Sequence, residues 1–137
     1  MNARFATALH VLALIAAADG APVASEAIAR SVGTNPVVIR RLFRVLAEAG
    51  LIAVRTGVRG GAVLARSSDA ITLAQVYGAV IGTFSLRCPG DAANDCAARA
   101  AVRDVTAELA QRVESAIARE FGTMTLADLC ARSGAPA

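Results

Sequence analysis

SEAIARSVGTNPVVIRRLFRVLAEAGLIAVRTGVRGGAVLAR, residues 25–66, decides the fold. It opens on Ser25, a residue suited to capping a helix, and Gly33 can end that helix by taking the left-handed conformation other residues resist. Ala27, Ile28, Ala29 and Val32 supply its apolar contacts. Asn35 then caps a second helix, and Pro36 takes its first turn, where a missing N–H costs nothing. At helical spacing Val38, Ile39, Leu42, Val45, Leu46 and Ala49 fall on one side, predicted to be buried. Val37, Arg40, Arg41 and Arg44 fall on the other, as a ridge of three arginines. Gly50 closes the helix.

Two short strands follow, residues 51–55 and 62–66, around Thr56-Gly57-Val58-Arg59-Gly60-Gly61. Three glycines in six residues suit a tight, exposed hairpin with Arg59 near its tip. Helix, turn, helix and glycine-rich hairpin is the order of a winged helix-turn-helix.

The flanking sequence reads as support. Residues 2–18 repeat Phe5, Leu9, Leu12 and Ile15 or Ala16 at helical spacing and stop at the turn dipeptide Asp19-Gly20. The apolar run after Arg4 imitates a secretory leader, but Thr7 and His10 interrupt it, and it is too short to span a membrane. A buried first helix, a cytoplasmic location and normally reduced cysteines are therefore expected. His10, the single histidine, is expected to be a partly buried residue rather than a ligand. Thr72 and Gln75 form a capping box stapled by Ile71 and Val76, starting a helix to about residue 82; Thr125 and Asp128 start a short last helix in the same manner. Between them, residues 96–121 form the longest helix, with Ala98, Val102, Val105, Leu109, Val113, Ala116 and Ile117 in one narrow stripe that needs a partner to cover it.

The 137-residue chain is 55% hydrophobic and only 4% aromatic, so its core is built from Ala, Val, Leu and Ile, a composition that favours helices. Charge is divided: residues 1–66 hold eight Arg against three acidic residues, whereas residues 67–137 hold six against eight. A basic first half and an acidic second half suggest that only one half meets a polyanion, a merely solvated charged surface being the alternative. Enzyme chemistry is not expected, because no base–nucleophile pairing, carboxylate constellation, P-loop or dinucleotide fingerprint occurs.

These features resemble the BadM/IscR-type (Rrf) family of bacterial transcriptional regulators over nearly the whole chain. The resemblance is carried by TNPVVIRRL at 34–42, LAEAGLI at 46–52, Gly60-Gly61 with LAR at 64–66, and ITL at 71–73 with Val76. It implies a mainly α fold with a small β-hairpin wing and a long C-terminal dimerisation helix, in a homodimeric repressor of double-stranded DNA operators. The organisation expected is a DNA-binding winged helix-turn-helix over 1–83, a connecting or sensing loop over 84–95, and the dimerisation and last helices over 96–137. Two departures stand out. Family wings usually place Arg-Gly before a two-residue spacer and Tyr after the glycine pair; here Thr56 precedes Gly57, Arg55 lies one residue earlier, and Ala62 replaces the Tyr. Iron–sulfur members hold three closely spaced cysteines before the long helix, whereas Cys88 and Cys96 stand there alone, seven residues between them. The chain is thus closer to the branch without a complete cluster set, and no cofactor or metal is expected, an iron–sulfur sensor being the alternative.

The expected DNA-contacting residues are Ser25, Thr34, Asn35, Pro36, Val37, Arg40, Arg41, Arg44, Arg55, Arg59, Gly60 and Gly61. Arginines on a recognition helix can pair with phosphate or fork onto guanine O6 and N7. Arg59 could enter a minor groove. Cys88 and Cys96 leave three readings open: an incomplete ligand set, a redox-responsive thiol pair, or inert small residues. Cys130 reads as buried packing. A domain that keeps this architecture without binding DNA, as a protein-interaction module, remains a further alternative.

Overall fold

Helix α1 (Arg4–Ala17) is central to the hydrophobic core and supplies five of its buried residues. The computed structural model describes residues 3–86 and 96–134. Ala8, Val11, Leu12, Ile15 and Ala16 line the buried face of α1, and Asp19 and Gly20, both at positive φ, turn the chain away. The order that follows is α2 (Ser25–Val32), α3 (Pro36–Glu48), β1 (Ile52–Arg55), β2 (Gly61–Leu64), a 3₁₀ turn (Ser68–Ala70), α4 (Leu73–Val80), α5 (Ala97–Phe121) and α6 (Leu126–Ser133). The mainly helical class and the hairpin wing are as the sequence predicts.

Leu12, Ile28, Ile39, Leu46 and Leu51 are fully enclosed at 0% exposure. Burial of each contributes roughly 1.5–3 kcal/mol relative to an exposed side chain. They come from α1, α2, α3 and the entry to β1, so the helix-turn-helix and wing share one core with α1. Leu126 and Cys130 bring α6 into that core, where burial pushes the Cys130 thiol up.

The hairpin pairs Ile52 with Leu64 and Arg55 with Gly61. Val23, in the connection before α2, forms an isolated bridge to Ala62: its N–H donates to the Ala62 carbonyl at 3.0 Å, and the Ala62 N–H returns the bond at 2.9 Å. One edge of the wing is thereby tied to the body, and β1 is left as the outer edge.

Helix α5 is different in kind. None of its described residues is buried, and Val102, Val105 and Leu109 are 53%, 53% and 46% exposed. Its carboxyl end is anchored by Phe121, stacked on Phe5 of α1 and edge-on to Tyr77 of α4, with ring centroids 5.6 and 5.3 Å away. Near its middle, Glu114 accepts a hydrogen bond from the Phe84 backbone N–H at 2.8 Å. No helix among the described residues is long and apolar enough to cross a membrane.

Candidate nucleic-acid interface

The interface is built on α3. Asn35 caps it as predicted: Val37 N–H donates to Asn35 Oδ1 at 2.8 Å, and Pro36 occupies the first turn. Gly33, at φ 79°, makes the tight turn from α2 and sets the two helices against each other. Thr34 is half-buried in that turn, its N–H bonded to the Ala29 carbonyl. The oxygen of Asn35 is committed to the cap, so its amide nitrogen is the group left to offer an external acceptor.

The buried stripe of α3 is Ile39, Leu42, Phe43 and Leu46. Val38 and Ala49, expected in the core, are exposed, Val38 at 45%. The helix is rotated about its axis relative to the sequence expectation because the Phe43 ring offers the core far more apolar area than Val38 or Ala49. Val37 and Val38 consequently stand together on the outside at the amino end, beside exposed Arg40, Arg41 and Arg44. Apolar side chains there suit the thymine methyl as arginines suit guanine and phosphate.

The three arginines are not equivalent. Arg40 Nη1 donates to Glu26 Oε1 of α2 at 3.2 Å and to Ser25 Oγ at 3.4 Å. Arg41 and Arg44 form no ion pair among the described residues. Ser25 departs from expectation. It is the first residue of α2 rather than its cap, the capping position being Ala24. Its side chain is 8% exposed and its hydroxyl donates to Glu26 Oε2 at 3.2 Å, so it faces a neighbouring carboxylate instead of acting as an outward donor. The Glu26 backbone N–H and the Ser25 hydroxyl hold the Glu26 carboxyl below its ordinary value of 4.5, with Arg40 and Arg30 adding attraction. Nothing local in the sequence marks Glu26, because its partner lies fourteen residues away on another helix.

In the wing, Arg55 and Arg59 are exposed on the outer edge and at the tip, with Val58 fully in solvent. Gly60 and Gly61 have a structural reason to be glycine. A Cβ on Gly60 would collide with the Arg55 carbonyl, and one on Gly61 with the Val23 backbone. They shape the wing so that Arg59 projects from it.

The donor residues that could hold a metal are dispersed. Among the described residues no group of three or more His, Cys, Asp and Glu converges. His10 is exposed on α1, correcting the expectation of partial burial. Cys96 is exposed at the start of α5 and Cys130 is enclosed in α6. Cys88 lies outside the described residues.

Residues 1–132 match the Rrf2 family, described as an iron-dependent transcriptional regulator. The chain belongs to the Rrf2 family. It is 33% identical over 130 residues to YwnA of Bacillus subtilis strain 168, named as an HTH-type transcriptional regulator, covering 94% of this chain and 96% of that one. A solved structure described as a DNA-binding protein shares 32% identity at a TM-score of 0.73, with 92% and 97% of the two chains covered. A transcriptional regulator from Lactobacillus plantarum superposes at a TM-score of 0.81 with 25% identity, covering 98% of this chain and 91% of its own.

Proposed function

We propose that this protein is a sequence-specific DNA-binding repressor that works in the cytoplasm as a homodimer on a palindromic operator. The observation that carries the proposal is the outer face of α3, where Val37, Val38, Arg40, Arg41 and Arg44 are all exposed on a helix fixed to the core by its opposite face. Helix α3 enters the major groove amino end first, and the wing carries Arg55 and Arg59 to the flanking backbone or minor groove. The exposed stripe of α5 supports the dimer. Two copies joined there place their recognition helices on half-sites roughly 34–36 Å apart.

Selection of bound sequences from random duplexes, followed by a salt titration, tests this. A palindromic consensus and an affinity that falls steeply with salt are expected. Failure to enrich any sequence overturns operator recognition, and salt-insensitive binding overturns the role of the arginines.

The cysteine pattern, Cys88 and Cys96 with no third thiol close by, favours a regulator without an iron–sulfur cluster. Visible absorbance with stoichiometric iron and sulfide after anaerobic purification would overturn that. A thiol-linked signal is the second reading, supported by Cys96, exposed at the amino end of the helix that is to join the subunits. Oxidation of the reduced protein by diamide is expected to lower the free-thiol count and change operator affinity together; a lowered count with unchanged affinity sinks it.

A further inference from the structure

We propose, resting on the DNA-binding reading above, that Glu26 is a positioning residue for operator recognition. It holds Arg40 by one nitrogen and aims the remaining guanidinium donors at a base edge rather than at the phosphates. The contacts of Arg40 all use Nη1, to Glu26 Oε1 at 3.2 Å and Ser25 Oγ at 3.4 Å. Ser25, 8% exposed, anchors the far side of the carboxylate through its own hydroxyl. The Arg40 side chain is nevertheless 54% exposed, so its Nε and Nη2 donors remain for a ligand.

Two consequences follow from this geometry. A guanidinium already held in one place loses less conformational freedom when it meets a base, so a fork onto guanine O6 and N7 is cheaper to form. The Glu26 carboxylate also sets a negative charge beside Arg40 that repels phosphate oxygens, which weakens sequence-independent attachment. Both effects widen the gap between specific and non-specific binding, and specificity is that gap. In free protein an exposed pair of this kind contributes little to stability. Its influence grows when a duplex displaces the surrounding water. Arg41 and Arg44, without ion pairs among the described residues, are left to supply general attraction.

The test compares wild type, E26Q, R40A and the double variant by duplex selection and by competition between selected and random DNA. Glutamine keeps the volume of the side chain and removes its charge, and thermal melting checks that each variant is folded. E26Q is expected to lower the ratio of specific to non-specific affinity by about tenfold, with non-specific affinity equal to or above wild type. R40A is expected to lose preference at the same base pairs, and the double variant to be no less selective than R40A alone. The proposal is overturned if E26Q keeps the wild-type base preferences, if it loses specific and non-specific affinity in equal measure, or if it relaxes base pairs that R40A leaves unchanged. A wild-type protein that selects no sequence overturns the DNA-binding reading itself, and this inference with it.

Discussion

Thr72 and Thr125 face each other across an isolated antiparallel bridge, and each is the cap of a helix with a complete capping box. Leu73 N–H donates to the Met124 carbonyl at 2.9 Å and Leu126 N–H to the Ile71 carbonyl at 2.8 Å. Helices α4 and α6 therefore start from one shared clasp, which holds the first turn of α6 where Leu126 enters the core. Thr72→Ala and Thr125→Ala are each expected to cost about 1 kcal/mol of folding stability. Because the two caps share the clasp, the double variant should depart from the sum of the single effects. Urea denaturation of all three variants measures both; strict additivity would show that the caps act independently.

Asp128 adds a pH dependence to the same clasp. The backbone N–H and then the hydroxyl of Thr125, with Arg132 nearby, hold its carboxyl below the ordinary 3.8. A carboxyl whose folded value is depressed stabilises the fold above its unfolded value and loses that contribution as pH falls through the folded value. Asp128→Asn should therefore be less stable than wild type near neutrality, and the difference should shrink as the pH drops from about 4 towards 2. Urea midpoints for both proteins along that range decide it, and a constant difference would contradict the assignment.

The capping boxes were legible because everything they need lies within four consecutive residues. The same holds for Asn35-Pro36 and for Gly33 and Gly50, whose positive φ values place them where the turns require. Periodicity located α3 but misjudged its rotation. It treats apolar positions as equal, whereas packing gave the core to Phe43 and left Val38 outside. Contacts between elements left no local trace: Glu26 with Arg40, and Val23 with Ala62. For Ser25 a local signal misled, since a serine before an apolar run suits a cap, and only the arrival of Arg40 from α3 reveals its other use.

The Val23–Ala62 bridge makes Gly61 the sensitive point of the wing. A Cβ there would meet the Val23 backbone, and the residue's φ of 154° adds strain for any side chain. Gly61→Ala is expected to cost about 1–3 kcal/mol and to lower operator affinity, because the wing can no longer seat against the body. Gly78→Ala is the control, since a Cβ in the middle of α4 meets open space. It should stabilise by roughly 0.5–1 kcal/mol through helix propensity. Thermal melts and operator titrations of the pair distinguish a loss confined to the wing from a general one.

Leu109 tests the link between α5 and DNA binding. It sits with Val102, Val105 and Val113 on one stripe of the helix and is 46% exposed. A charge at such a position costs an isolated chain little, because the site already opens to water, but it is costly once two stripes are pressed together without water. Leu109→Asp is therefore expected to leave helicity and the folding of α1–α4 intact while shifting the protein from dimer to monomer in sedimentation. If each protomer reads one half-site, monomerisation also removes the second attachment, and operator affinity should fall by about 100-fold or more. The same variant should bind a single half-site as tightly as wild type does. A dimer that persists in L109D would place the subunit contact elsewhere. A monomer with undiminished operator affinity would show that one helix-turn-helix is sufficient for recognition.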